Sequence, residues 1–480
     1  MMAANPEDGA LTGGQTVKPD TPGQERSLFP AAASPDSHPA PATLFERFLA
    51  RDNLARALKR VEANKGAPGP DAMKTEDLRS WLHAHWPEVR ARLDAGTYRP
   101  APVRRVFIPK PGGKVRGLGV PTVLDRLIQQ ALLQVLTPVF DPYFSDRSYG
   151  FRPGRSAHQA VRSAQEAVAS GHCWVVDLDL EAFFDRVNHD ALMARCARTI
   201  DDKKVLWLLR AYLNAGVMQD GVKVPQEEGT PQGSPLSPLL ANIMLDDLDK
   251  ELEARGHHFV RYADDIMIYA RSERAAERVM RSTRTFVEKR LKLRVNEQKS
   301  AVAPATGRPF LGFAFYFRDG EVKVRLDPKA KEAAKMRLRR LTGRNWRVSM
   351  PVRIAALNRF TRGWTAYFAL ADTPSVFQEI DEWLRRRLRQ VRWKEWKRPS
   401  GRYRGLVACG IPPWQARKWA SSGRGCWRVS GSAILARALP NAYWQNQGLA
   451  GFLGPYRQLR DARRTAGCGP ACPVVWEGPG

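Results

Sequence analysis

The sequence predicts an α+β protein, a core of short strands and helices followed by a basic helical region. Three observations carry that prediction. Between residues 103 and 315, short apolar β-branched runs alternate with amphipathic stretches, and every paired-acid motif falls there. Within that span, Arg261–Ala270 (RYADDIMIYA) reads as a hairpin with Asp264 and Asp265 at its turn. Beyond Pro328 the character changes: residues 329–404 hold 21 Lys or Arg against 6 Asp or Glu, at helical periodicity.

Taken in order, residues 1–41 are rich in Ala, Pro, Gly, Ser and Asp without periodic apolar positions, which predicts a disordered tail. Leu44, Phe48, Leu54, Leu58 and Val61 recur at helical spacing, so one helix is expected over 44–61, then a loop at 64–70. Cys173–Leu180 is an apolar strand carrying Asp177 and Asp179 on one face. Phe259, Val260 and Tyr262 before the Asp pair, and Ile266–Tyr269 after it, describe a largely buried hairpin. From Pro374 to Arg398, Phe377, Ile380, Leu384, Leu388 and Val391 form an apolar stripe, with Arg385, Arg389 and Arg392 on another face. Residues 404–464 read as a further small domain and 465–480 as a tail.

Composition narrows the partners. The 480-residue chain has a formal net charge of +28, far more than solubility requires, and this points to a polyanion. No apolar stretch is long enough to span a bilayer and no signal segment opens the chain, so a cytoplasmic protein is expected. Six irregularly spaced cysteines give no disulfide framework, and Cys468 and Cys472 lack a second pair at zinc spacing.

Two adjacent carboxylates at the tip of a buried hairpin repel each other unless a cation sits there. Magnesium takes oxygen ligands and commonly uses one or two carboxylates plus substrate phosphates. A two-metal site needs a further carboxylate nearby, and Asp177 or Asp179 can supply it.

Asp179–Asp185 (DLEAFFD) together with Tyr262–Asp265 (YADD) resembles the paired catalytic motifs of reverse transcriptases. The surrounding blocks resemble the group II intron-encoded branch and occur in that family's order. They are Asn64–Asp71 (NKGAPGPD), Tyr98–Arg104 (YRPAPVR), Ile108–Gly113 (IPKPGG), Leu118–Thr122 (LGVPT), Ser148–Arg155 (SYGFRPGR), Gly229–Asn242 (GTPQGSPLSPLLAN), Asn296–Lys299 (NEQK) and Phe310–Phe313 (FLGF). Arg362–Tyr367 (RGWTAY) is similar to the family's maturase-specific thumb.

The resemblance implies a right-hand polymerase fold: fingers and palm with an antiparallel sheet over 42–315, a helical thumb over 316–403, and a DNA-binding region over 404–464. It implies that Asp179 and Asp264 ligate two Mg2+ ions, with Asp265 as third carboxylate and Leu180 lending a backbone carbonyl. Phe184 would lie under the sugar and favour deoxynucleotides. Gln232, Lys110, Arg116 and Lys299 would contact the incoming dNTP. Independently of the resemblance, the excess of fifteen positive charges over 329–404 suggests that Arg385, Arg389 and Arg392 track a nucleic-acid backbone. The partners implied are a group II intron RNA, a DNA target and its primer, and no membrane. No histidine follows His258, so an HNH nuclease is not expected. The expected function is RNA-directed DNA synthesis joined to splicing assistance. The alternatives are a defence or repair enzyme and a splicing-only factor, the latter opposed by the intact Asp179, Asp264 and Asp265.

Overall fold

The computed structural model describes residues 29, 42–109, 115–219, 222–224, 228–230 and 233–465. Lys110, Gln232, Cys468 and Cys472 lie outside the described residues, as does the side chain of Arg116. So does nearly all of the predicted tail at 1–41, where only Phe29 is described. It is buried and meets Trp86 edge to face at 5.0 Å.

The strands are β1 (Val103–Pro109), β2 (Val115–Val120), β3 (Trp174–Leu178), β4 (Val217–Gln219), β5 (Val222–Val224), β6 (His258–Tyr262), β7 (Asp265–Ala270), β8 (Ala301–Pro304), β9 (Phe313–Arg318) and β10 (Glu321–Leu326). One sheet runs in the order β2-β1-β4-β5, and the central one in the order β6-β7-β3-β8. All three pairings of the central sheet are antiparallel. The hairpin β9–β10 straddles the boundary expected at 315, because alternation continues through Val322, Val324 and Leu326, which are buried.

The central sheet is buried on both faces, and strand alternation assigns its side chains. Val176, Leu178, Phe259, Ile266 and Ile268 enter a core shared with the amino-terminal helices. Val175, Val260, Met267 and Tyr269 enter a second core, built with β9, β10 and the carboxy-terminal helices. Each such aliphatic or aromatic residue contributes about 1.5–3 kcal/mol on burial. The polar residues of this sheet are thereby pushed to its ends.

The helix expected over 44–61 is two helices, Leu44–Leu49 and Arg51–Asn64. Thr43 and Glu46 form a capping box at the start of the first. Ala50 is extended (ψ 136°), and the buried Asn53 side chain donates to the Phe48 carbonyl at 2.9 Å and the Ala131 carbonyl at 3.0 Å. That side chain satisfies a carbonyl left over at the break.

The stripe of the helix Pro374–Glu395 is buried as expected, from Phe377 to Val391. Residues 404–464 do not build a core of their own: Leu406, Val429, Leu435, Trp444 and Phe452 belong to the same core as Leu384 and Leu388. The reason is that this helix offers apolar side chains on more than one face. Among the described residues no helix is long and apolar enough to cross a membrane.

Candidate active site

The hairpin β6–β7 turns through Ala263 and Asp264, and Tyr262 pairs with Asp265 across it. Ala263 has φ 58°, a left-handed conformation that costs a residue with a Cβ about 1–2 kcal/mol. Arg261 holds the turn in that state. Its guanidinium is fully buried, donates from Nε to Asp249 at 2.8 Å, and donates from Nη1 to the Asn242 side chain (2.9 Å) and the Ala263 carbonyl (3.0 Å). Burial pushes the Asp249 carboxyl up while Arg261 pulls it back.

The Ser148–Arg155 block is laced to the same hairpin. Tyr149 N–H donates to the Arg261 carbonyl (2.9 Å), and Asn242 Nδ2 donates to the Gly150 carbonyl (3.0 Å). A Cβ on Gly150 would stand 2.2 Å from the Ala263 nitrogen, so only glycine fits there.

Asp179 follows β3 directly, and Leu178 pairs with Ile266, which brings it beside Asp265. Its N–H donates to Ser300 Oγ (3.0 Å) and its carbonyl accepts from Asn296 N–H (2.8 Å). Lys299 Nζ bonds both carboxylate oxygens of Asp179, at 2.9 and 3.2 Å. Arg308 braces this arrangement: it donates to the Lys299 carbonyl (2.9 Å) and pairs with Asp177 at 3.3 Å. Burial pushes Asp177 up, opposed by Arg308 and reinforced by Asp179.

Asp265 registers the crowding most strongly. Its side chain touches solvent at the turn, yet desolvation by surrounding protein, then Asp264, Asp177 and Asp179, push its carboxyl up to about 7, with Lys299 opposing. Among the described residues no three His, Cys, Asp or Glu side chains stand close enough to form a ready-made metal cage. The donor set still fits magnesium, which commonly completes a pair of carboxylates with substrate phosphates. Besides burial, three neighbouring carboxylates raise Asp265, and a divalent cation would relieve their share.

Leu180 forms a bridge with Val295, closed by Asn296 N–H to the Asp179 carbonyl and Glu181 N–H to the Arg294 carbonyl. The Leu180 carbonyl is therefore not consumed by it. Phe184 is buried, packed edge to face on Phe183 at 5.2 Å, and its carbonyl accepts from Thr230 N–H. Gly229, at φ 98°, allows this approach, since a Cβ there would meet the Phe184 and Asp185 carbonyls at 2.9 Å. Arg116 pairs with Ile108 across β1–β2, one strand position from the start of β2 at Val115.

The arginines of the Pro374–Glu395 helix differ from the expected open track. Arg389 Nε donates to the Ser430 carbonyl at 2.9 Å, and Arg392 pairs with Glu395 at 2.8 Å with its guanidinium 5.9 Å from the Tyr443 ring centroid. Burial lowers the Arg389 pKa, with Arg385 and Arg386 adding to the effect. Carboxy-terminal helices pack on that face, so Arg389 and Arg392 have intramolecular partners, while Arg385 is half-buried and its charge acts on Asp381.

A groove of about 780 Å³ adjoins the β6–β7 turn, lined among others by Arg56, Arg60, Phe151, Tyr262, Leu311 and Tyr367. Arg56 and Arg60 project from the Arg51–Asn64 helix, and Phe151 is exposed.

Residues 108–315 match the family model for reverse transcriptase (RNA-dependent DNA polymerase), and residues 331–410 match the group II intron, maturase-specific domain. Protein YkfC of Escherichia coli is 33% identical over 62% of this chain and 89% of its own length. The chain belongs to the group II intron reverse transcriptase and maturase family. Within this family the group II intron-encoded protein LtrA of Lactococcus lactis is 27% identical over 63% of this chain, which spans 60% of that relative. Nuclear intron maturase 2, mitochondrial, of Arabidopsis thaliana is 30% identical over 34% of this chain and 28% of its own length.

Sequence reasoning singled out Asp179, Asp264 and Asp265 but not Arg261, Asn242, Asp249, Ser300 and Arg308, which hold them in place. A signal existed for Arg261 alone, since an arginine inside an apolar strand has to find a buried partner.

Proposed function

We propose that this chain is an RNA-directed DNA polymerase that copies an intron RNA into DNA by two-metal phosphoryl transfer, and that it binds the same RNA to assist splicing and mobility. The observation that supports this best is the meeting of Asp179, from the end of β3, with Asp264 and Asp265 at the β6–β7 turn, where desolvation, and after it the neighbouring carboxylates, lift Asp265 to about 7.

Asp179 and Asp264 would hold the two Mg2+ ions, with Asp265 and the Leu180 carbonyl completing the set. Bound there, the ions would activate the primer 3′-hydroxyl and neutralise the triphosphate and leaving pyrophosphate.

The chain's own groups orient the rest. Arg261 and Asn242 fix the turn that aims Asp264. Lys299 restrains Asp179 and lowers the repulsion on Asp265. Lys110 and Arg116 would grip the triphosphate, Gln232 the base or sugar, and Phe184 would exclude a ribose 2′-hydroxyl. Arg56 and Arg60 on the groove wall give phosphates a cationic lining, and the exposed Phe151 gives bases a flat apolar surface. Splicing assistance needs no acidic site, because tight binding alone stabilises a folded RNA by mass action.

The test is primer extension on an RNA template with deoxynucleotides and Mg2+. Wild type should extend the primer. Replacing Asp264 and Asp265 with Ala should abolish extension while RNA binding and splicing persist. Loss of splicing to the same extent in a folded variant would refute the division into two activities.

A further inference from the structure

Residues 333–371 carry nine Lys or Arg and no Asp or Glu. Some of these cations are engaged within the protein: Lys335 pairs with Glu379 at 3.1 Å, and Arg353 is buried. Arg337, Arg340, Arg344 and Arg347 are exposed and form no ion pair among the described residues. They cluster at the turn between the helices Pro328–Leu341 and Met350–Phe368.

That turn is built, not loose. Arg353 donates to the Leu341 carbonyl (2.7 Å), the Gly343 carbonyl (3.3 Å) and the Trp346 carbonyl (2.9 Å), and its guanidinium lies 5.0 Å from the Trp346 ring centroid. Thr342 is fully buried, donates to the Leu338 carbonyl at 2.6 Å and accepts from Arg387 at 3.0 Å. Lys394 reaches Asn345 at 3.1 Å. The result is a cleft of about 630 Å³ lined by Arg340, Leu341, Gly343, Arg344, Asn345 and Trp346. A buried cation that organises three carbonyls beneath a ring of exposed cations is a costly arrangement, and it suits a ligand that carries the opposite charge.

We propose that this turn docks an unpaired nucleotide of a folded RNA, with Arg340, Arg344 and Arg347 on its flanking phosphates and the Trp346 indole against its base. The proposal rests on the reading that the protein binds an intron RNA, and it names where. Two observations favour folded RNA over the strand being copied. The turn lies within the residues that match the maturase-specific domain. It also lies at the opposite end of the Met350–Phe368 helix from Tyr367, a groove-lining residue. At 1.5 Å per residue the separation is about 25 Å. Because the turn is pinned before binding, little ordering cost remains, as for other preorganised sites.

The experiment uses the full chain and three fluorescent probes of about 30 nucleotides, an RNA stem-loop, a fully paired RNA duplex and a DNA stem-loop, alongside primer extension on poly(rA)–oligo(dT). Replacing Arg340, Arg344 and Arg347 together with Gln should weaken RNA stem-loop binding and lower its log–log salt slope by about 2, at roughly 0.7 per lost single-strand phosphate contact. Trp346→Ala should weaken stem-loop binding about tenfold, as loss of one stacked base does, with duplex binding unchanged. Trp346→Phe, which keeps an aromatic face, should retain most of the affinity, and primer extension should be unaffected throughout.

An unchanged salt slope in the triple variant overturns the site. Primer extension that falls in parallel with binding assigns the turn to the copying track and also overturns it. Equal loss of DNA stem-loop binding overturns the assignment to RNA. A wild-type chain that binds none of the probes refutes the intron-RNA reading itself, whereas wild-type RNA binding that survives both substitutions refutes this site alone.

Discussion

The ion pair Arg261–Asp249, fully buried beneath the β6–β7 turn, gives the sharpest test of how the fold makes the proposed site. Asp249→Ala removes the acceptor for Arg261 Nε and leaves a guanidinium in the core with only Asn242 and the Ala263 carbonyl as partners. Breaking a buried pair by removing one partner costs about 3–5 kcal/mol, because an uncompensated charge remains. The double replacement Arg261→Met with Asp249→Leu removes both charges, and such swaps are often neutral or stabilising. It also removes the donor to the Ala263 carbonyl, the contact that keeps the turn left-handed. Thermal unfolding should therefore recover in the double variant while primer extension stays down by about 100-fold, the order expected when reacting groups are displaced by about 1 Å. A double variant that regains both stability and extension would refute the positioning role. Asp249→Ala costing less than about 1 kcal/mol would refute the buried-charge reasoning.

Other outcomes follow from the same geometry. Asp265 is raised to about 7 against an unfolded value of about 3.9, so the folded state holds a proton that the unfolded state has lost between these values. Stability therefore falls as pH rises across that window, and in metal-free protein Asp265→Asn should leave the melting temperature unchanged near pH 4 and raise it near pH 8. Discounted for the carboxyl's contact with solvent, the gain should be about 1–2 kcal/mol, and a loss at pH 8 would contradict the sign. Lys299 holds Asp265 down, so Lys299→Ala should move the acid limb of the primer-extension pH profile to higher pH, and a shift the other way would contradict the pairing. Gly150→Ala, whose Cβ would meet the Ala263 nitrogen at 2.2 Å, should cost about 1–3 kcal/mol by overpacking and lower extension without lowering RNA affinity. Arg389→Ala should lower the melting temperature through the lost bond to Ser430 and leave the RNA salt slope unchanged, whereas a flattened slope would return Arg389 to the phosphate track.

Much of the site is legible in the chain because its signals are local. A hairpin of Phe259–Tyr262 and Ile266–Tyr269 has to put Ala263 and Asp264 at its turn, and an apolar strand ending at Leu178 has to deliver Asp179 at its end. The stripe from Phe377 to Val391 was legible for the same reason, since periodicity of 3.6 residues marks a buried helix face by itself. The break at Ala50 was not, because it depends on Asn53 reaching Ala131, far away in the sequence.

The sequence by itself determined which acids meet, the family to which the chain belongs and its strong positive charge. Only the tertiary structure decided which cations remain available. Arg353 looks no different in the sequence from Arg344, yet one is buried among carbonyls and the other faces solvent. A cation's role is set by which chain segments fold around it, and those segments are brought together by two cores on opposite faces of one sheet, not by neighbours in the sequence.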